Sequence, residues 1–248
     1  MSEALRLEQV SIALEGRILI PPWSVSVPPG QIVTLMGPSG SGKSTLLSYL
    51  GGTIATVFRA AGRVWIGERE VTREPPERRR IGILFQDDLL FPHLSVGENL
   101  AFGLRPTVRG RKLRAARIEA ALGEAGLGGF AARDPATLSG GQRARVALLR
   151  LLLAEPQTLL LDEPFNKLDM VLRADFRRFV FEHALAAGLP VLMVTHDRAD
   201  AEAAKGPVLE LGTSADGGPV ISVALANVAA RTPVPSGQVC SSLGKGTD

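Results

Sequence analysis

Cysteine is nearly absent: Cys240 is the only one in 248 residues. No intrachain disulfide can form, which excludes a disulfide-stapled extracellular scaffold and fits a reducing compartment. Aromatic residues are few, at 5% of the chain. No run reaches the roughly 18 apolar residues that a spanning helix needs. The N-terminal "MSEALRLEQV" has no apolar core of a signal peptide, so none is expected. If the protein works at a membrane, a partner must bring it there. Charge of one sign is also lacking. Lys and Arg number 28 against 25 Asp and Glu, a net of +3. The excess is scattered, so a nucleic-acid partner is not expected. The densest cluster, Arg78, Arg79 and Arg80, reads as a solvated loop before a strand. No internal repeat is present.

What remains is 45% hydrophobic and 21% charged, the composition of a globular chain with a sizeable core. Residues 5–12 and 23–27 alternate as strands do, and "GRVWIGEREV" reads as a hairpin turning at Gly67. "QIVTLM" is a short buried strand, followed by a Gly-rich loop and the helix "KSTLLSYLGG"; "IGILFQ" is another strand. From about residue 95 to 135 the pattern turns helical. A long helix from Gly141, the strand "TLLLD", a helix over about 170–187, the strand "PVLMVT" and a short helix at 198–204 follow. Strands alternating with helices argue for an α/β fold with a mostly parallel sheet. From Gly212 onward Gly, Ser, Pro, Thr and Ala dominate; "PVISVALANV" can add a strand, and the last fifteen residues read as a mobile tail.

The stretch "GPSGSGKST" carries the clearest chemistry: Gly37, Pro38, Ser39, Gly40, Ser41, Gly42, Lys43, Ser44 and Thr45. It fits the phosphate-binding pattern G-x-x-x-x-G-K-[ST], with a strand before it and a helix after it. The glycines let backbone N–H groups wrap a phosphate chain, Lys43 neutralises the outer phosphates, and the Ser44 hydroxyl is offered to Mg²⁺. "TLLLDEP" ends a buried strand in two carboxylates, where open α/β sheets bind ligands. Asp162 is placed to reach Mg²⁺, and Glu163 is the candidate base or water-orienting group. Gln86 and His196 each follow an apolar strand; alone, either reads as a satisfied polar residue or as a group reaching a phosphate. A second oddity is "LSGGQ", where Ser139, Gly140, Gly141 and Gln142 open a helix. A helix start offers free N–H groups and partial positive charge, so it can hold an anion.

Phosphate loop, Gln86, "LSGGQ", "LLLDEP", "KLD" and "THD" stand in the order and spacing of the ATP-binding subunits of ABC transporters, which residues 5–211 resemble. The resemblance implies a P-loop NTPase core with an N-terminal antiparallel β subdomain and a helical subdomain inserted at about 90–140. It implies one ATPase domain over 1–211, with 212–248 as a short, partly disordered extension rather than a regulatory domain. In that family two subunits meet head to tail. Each ATP lies on one chain's phosphate loop and is capped by the other chain's Ser139, Gly140, Gly141 and Gln142. Gln86 is then the residue that touches Mg²⁺ and the attacking water, His196 the switch histidine on the γ-phosphate, and Asp169 the link between the two sites. The metal set is Ser44, Gln86 and Asp162.

The resemblance also implies partners: a second copy, membrane-spanning permease subunits and, through them, a periplasmic binding protein. It places the chain peripherally on the cytoplasmic face of the inner membrane, energising import. Leu90, Phe91 and His93 lie where the family docks a permease helix; the other reading of Leu90 and Phe91 is subdomain core. The rival function is a soluble ABC ATPase acting on a macromolecule or an iron–sulfur assembly partner. A P-loop kinase would not explain "LSGGQ". One departure stands out. The family usually stacks adenine on an aromatic near the N-terminus, and that position is Leu14, with no Tyr, Phe or Trp from 11 to 20. Weakened base recognition is the expectation.

Overall fold

The computed structural model describes residues 3–214 and 217–223. Cys240, the expected tail and the second half of "PVISVALANV" lie outside the described residues. In chain order the elements are β1 Leu5–Leu14, β2 Arg17–Val27, β3 Ile32–Met36, α1 Lys43–Gly51, β4 Phe58–Ile66, β5 Arg69–Glu70, α2 Pro76–Arg79, β6 Ile81–Leu84, α3 Val96–Gly103 and α4 Arg111–Glu124. A short 3-10 turn at Pro135–Thr137 leads to α5 Gly140–Leu152, β7 Thr158–Asp162, α6 Met170–Ala186, β8 Val191–Thr195, α7 Arg198–Ala204, β9 Val208–Thr213 and β10 Pro219–Val223.

Two sheets result. The first is antiparallel, in the order β2-β1-β4-β5; the second runs β10-β9-β3-β8-β7-β6 and is parallel except for the β10–β9 pair. Successive side chains of the second sheet face opposite ways. Val33, Leu35, Leu160, Leu192 and Val194 join a core shared with the antiparallel sheet and α1. Ile32, Leu159, Leu161, Val191 and Met193 join the other core, with α3, α4, α5 and α6. Continuous apolar runs such as "TLLL" and "VLMV" are what a sheet covered on both faces requires.

The strands differ from the sequence reading in two places. β2 starts at Arg17 rather than 23, so it contains Pro21 and Pro22. Proline cannot donate to a ladder, but β2 is an edge strand, where that donor is not needed. β9, "VLELGT", was not anticipated; it pairs parallel with β3 through Thr34–Met36.

The arginine cluster also differs. Arg79 is only 5% exposed. Its guanidinium donates to the carbonyls of Tyr49 at 2.9 Å, Leu50 at 2.8 Å, Thr72 at 2.6 Å and Glu74 at 2.8 Å. The last carbonyls of α1 have no partner within the helix, and a cation at that end also complements the helix dipole. Arg79 is therefore a buried helix cap rather than part of a solvated loop.

Candidate active site

β3 delivers the chain to the Gly-rich loop at the sheet's C-terminal edge, and α1 begins at Lys43. The residue before it, Gly42, has φ 94°, a left-handed conformation that glycine adopts freely. A Cβ there would lie 3.0 Å from the Leu19 side chain. No side chain caps α1, which leaves its first-turn N–H groups available to an anion. Lys43 is 4% exposed, and its Nζ donates to the carbonyls of Gly37 and Pro38, each at 2.8 Å. Burial lowers its pKa, opposed by the carboxylates of Glu163 and Asp162.

β7 ends in Asp162, whose Oδ1 accepts the Ser44 hydroxyl at 2.8 Å. Burial raises the Asp162 pKa; the Ser44 hydrogen bond and Lys43 act against the rise, and Glu163 adds to it. The next residue turns sharply: Glu163 has φ 46°. That region costs a non-glycine residue about 1–3 kcal/mol and persists where surroundings over-determine it. Here they do. The Glu163 N–H donates to the Val194 carbonyl at 3.0 Å. Its carboxylate accepts from Asn166 Nδ2, lies 3.8 Å from Lys43 Nζ and 3.2 Å from His196 Nδ1. The structure thus brings Lys43, Ser44, Asp162, Glu163 and His196 together. Asn166 was missed, because nothing in its spacing marks it.

A cleft of about 530 Å³ opens over these groups, in the range of small-molecule sites. Ser39, Gly40, Gly42 and Thr45 line it, as does Gln86, which is exposed at the end of the strand-loop after β6. Its other wall is apolar, with Leu14 and Phe58. Trp23 is on β2 and 7% exposed, so it belongs to the core.

The "LSGGQ" residues are not part of this cleft. Ser139 caps α5 in a capping box: its Oγ accepts the Gln142 N–H at 3.3 Å, and Gln142 Oε1 accepts the Ser139 N–H at 2.9 Å. The box uses those two donors and leaves the N–H groups of Gly140 and Gly141 without partners among the described residues. Asp169 caps α6, accepting from the N–H groups of Val171 at 3.1 Å and Leu172 at 3.0 Å. Neither helix start is among the residues that line the phosphate-loop cleft.

A family model described as ABC transporter matches residues 21–166. The chain is 50% identical over 199 residues to the uncharacterized ABC transporter ATP-binding protein YnjD of Escherichia coli K12, covering 80% of this chain and 91% of that protein. It is 41% identical over 233 residues to the thiamine import ATP-binding protein ThiQ of Jannaschia, covering 94% and 96%. Against the putative 2-aminoethylphosphonate import ATP-binding protein PhnT of Salmonella typhimurium it is 39% identical, over 79% of this chain and 52% of PhnT. The chain belongs to the ABC transporter family. It is an ATP-binding ABC ATPase, coupled to transport.

Among the described residues of this ABC ATPase no helix is long and apolar enough to cross a membrane. An aromatic face lies beyond Gln86 instead. The Phe91 ring meets Phe102 at 4.9 Å and His93 at 6.0 Å, with the Arg150 guanidinium 5.2 Å from its centroid. Phe102 is 72% exposed. Leu90 is half-buried against the helical core, so the core reading fits Leu90.

Proposed function

We propose that this chain is the ATP-hydrolysing subunit that energises import of a solute across a bacterial inner membrane. It would sit peripherally on the cytoplasmic face, bound to permease subunits that a periplasmic binding protein supplies. The observation that carries the reading is the split site. One cleft gathers Lys43, Ser44, Asp162 and Glu163, while a second anion-ready element at Ser139, Gly140, Gly141 and Gln142 stands apart from it. Two copies placed head to tail would bring the two elements onto one ATP, and Asp169 would lie at the same seam. Relatives named for thiamine and 2-aminoethylphosphonate import support the direction of transport.

In this reading the triphosphate lies along residues 37–45 with Lys43 against its outer phosphates. Mg²⁺ fits the donor set: Ser44, Asp162 and Gln86 offer hard oxygens, and Asp162 is a half-buried carboxylate hydrogen-bonded to Ser44. When bound, the ion neutralises phosphate charge. Glu163 would take a proton from the attacking water. The water oxygen bonds to the γ-phosphorus, the bond to the ADP oxygen breaks, and ADP and phosphate leave. His196 would hydrogen-bond the γ-phosphate while holding Glu163. The glycine N–H groups of the second copy would grip the same phosphate, so its loss releases the pair.

Glu163→Gln tests this. It should bind ATP, hydrolyse it about 10²–10⁴ times more slowly, and run as a dimer in light scattering with ATP and Mg²⁺. Lys43→Ala should lose ATP binding. A Glu163→Gln protein that stays monomeric with ATP at high concentration would sink the shared-site reading.

A further inference from the structure

Position 14 lacks the ring that would hold a base, yet the strand register supplies one next to it. β1 and β4 are antiparallel with Leu14 directly opposite Phe58, and β1 and β2 set Leu14 opposite Arg17. Residues directly opposite in an antiparallel pair project from the same face of the sheet. Phe58, Leu14 and Arg17 therefore form one row across three strands. All three line the cleft that also holds Lys43, Ser44 and Thr45. Phe58 is the only aromatic residue among those lining it. It is half-buried and packs against the core beneath, which fixes the ring while leaving part of it open to the cleft.

We propose that Phe58 is the nucleobase platform of this site, moved one strand over from the vacant position at Leu14. The inference rests on the reading that the cleft binds ATP. Leu14 extends the apolar floor, and the guanidinium of Arg17 stands at its rim. The physical basis is simple. A triphosphate held by the loop projects its base toward the apolar wall, and a ring there covers the π-face of any base. Stacking of this kind is worth roughly 5- to 150-fold in affinity per base. The row offers no hydrogen-bond acceptor and, at Arg17 alone, a donor. ATP and GTP should therefore bind within a few-fold of each other, but not as poorly as a leucine alone implies.

Equilibrium titration of the full chain with Mg²⁺ separates base from phosphate contacts. The ligands are ATP, GTP and inorganic tripolyphosphate, which has no base. Phe58→Leu keeps the apolar contact with the core and removes the ring. It should weaken ATP and GTP about tenfold and leave tripolyphosphate unchanged. Phe58→Trp should keep ATP affinity, and its added indole fluorescence should change with ATP and not with tripolyphosphate. Unchanged ATP affinity in Phe58→Leu overturns the inference, as does an equal loss for tripolyphosphate, which would make Phe58 a support for the loop. A wild-type chain that binds neither ligand would sink the nucleotide reading, and the inference with it; a wild type that binds both while Phe58→Leu matches it sinks the inference alone.

Discussion

Replacing Asn99 by alanine should free the loop that carries Phe91 without disturbing ATP chemistry. Asn99 is 0% exposed on α3. Its Oδ1 accepts the Phe91 N–H at 2.8 Å, and its Nδ2 reaches the carbonyls of Phe91 and Leu94 at 3.1 Å and of Ser95 at 3.0 Å. An amide has two hydrogens, so three carbonyls share two donated bonds, and the side chain makes about three full bonds in all. At about 1 kcal/mol net for each, their loss comes to about 3 kcal/mol. The loop escapes a larger penalty by opening to water, since a stranded Phe91 N–H would add about 1–3 kcal/mol if it stayed buried. Local opening therefore becomes easier by roughly a hundredfold. Amide hydrogen exchange reads this directly: protection at Phe91 should fall about that much, while Leu160 in the buried strand β7 keeps its own. ATP hydrolysis by the isolated chain should be unchanged, because Asn99 does not line the cleft. Unchanged protection at Phe91 refutes the reasoning. So does an equal fall at Leu160, which would make Asn99 a support of the whole core.

Three further outcomes are expected. Burial raises the Asp162 pKa, so this group's contribution to stability is present below the unfolded pKa and is lost as pH rises through the folded one. Asp162→Asn keeps an acceptor for Ser44; at neutral pH its Tm should match or exceed wild type, the gain should vanish at acid pH, and ATP hydrolysis should fall because a charged Mg²⁺ donor is lost. A lower Tm at neutral pH would contradict this. A Cβ at Gly103 would lie 2.0 Å from the Arg150 carbonyl oxygen. Gly103→Ala must push α3 from α5 and should lose at least about 1–3 kcal/mol in denaturant unfolding; an unchanged midpoint rejects that close approach. Phe91→Asp should keep the isolated ATPase active yet lose co-purification with the permease and uptake, and a variant that still supports uptake would move the docking site elsewhere.

How legible the site was depended on how local its signals are. The phosphate loop, the "TLLLDEP" strand end and the mouth of α5 each announce themselves within ten residues, through apolar runs, glycines and capping chemistry. Phe58 does not. Its place beside the phosphate loop depends on the β1–β4 register, which spans a long stretch of intervening chain. Asn99 reads as an ordinary polar residue of a short helix, and only packing shows it buried and fully bonded. Arg79 lies in a run of three arginines that looks solvated, yet the tertiary fold draws that one side chain beneath the end of α1. In each case a polar or aromatic side chain takes its role from a partner far away in sequence, where periodicity carries no information.

The segment from Gln86 to Phe91 shows how such distant partners can make a coupling element. Gln86 lines the cleft over the phosphate loop. Asp87 pairs with Lys167, just beyond Glu163, and Asp88 pairs with Arg143 of α5 at 3.0 Å. Arg143 in turn donates to the Leu138 carbonyl at 2.8 Å, at the start of the "LSGGQ" turn. Arg150 reaches the Asp88 carbonyl at 3.4 Å and stands over Phe91. The ion pairs are all partly exposed, and such pairs contribute about 0–1 kcal/mol each. Such ties can be exchanged at little cost. The far end cannot, because Asn99 holds Phe91 with buried bonds. A segment loosely tied near the cleft and firmly tied at the aromatic face has the mechanics coupling requires: rearrangement at one end displaces a rigid surface at the other.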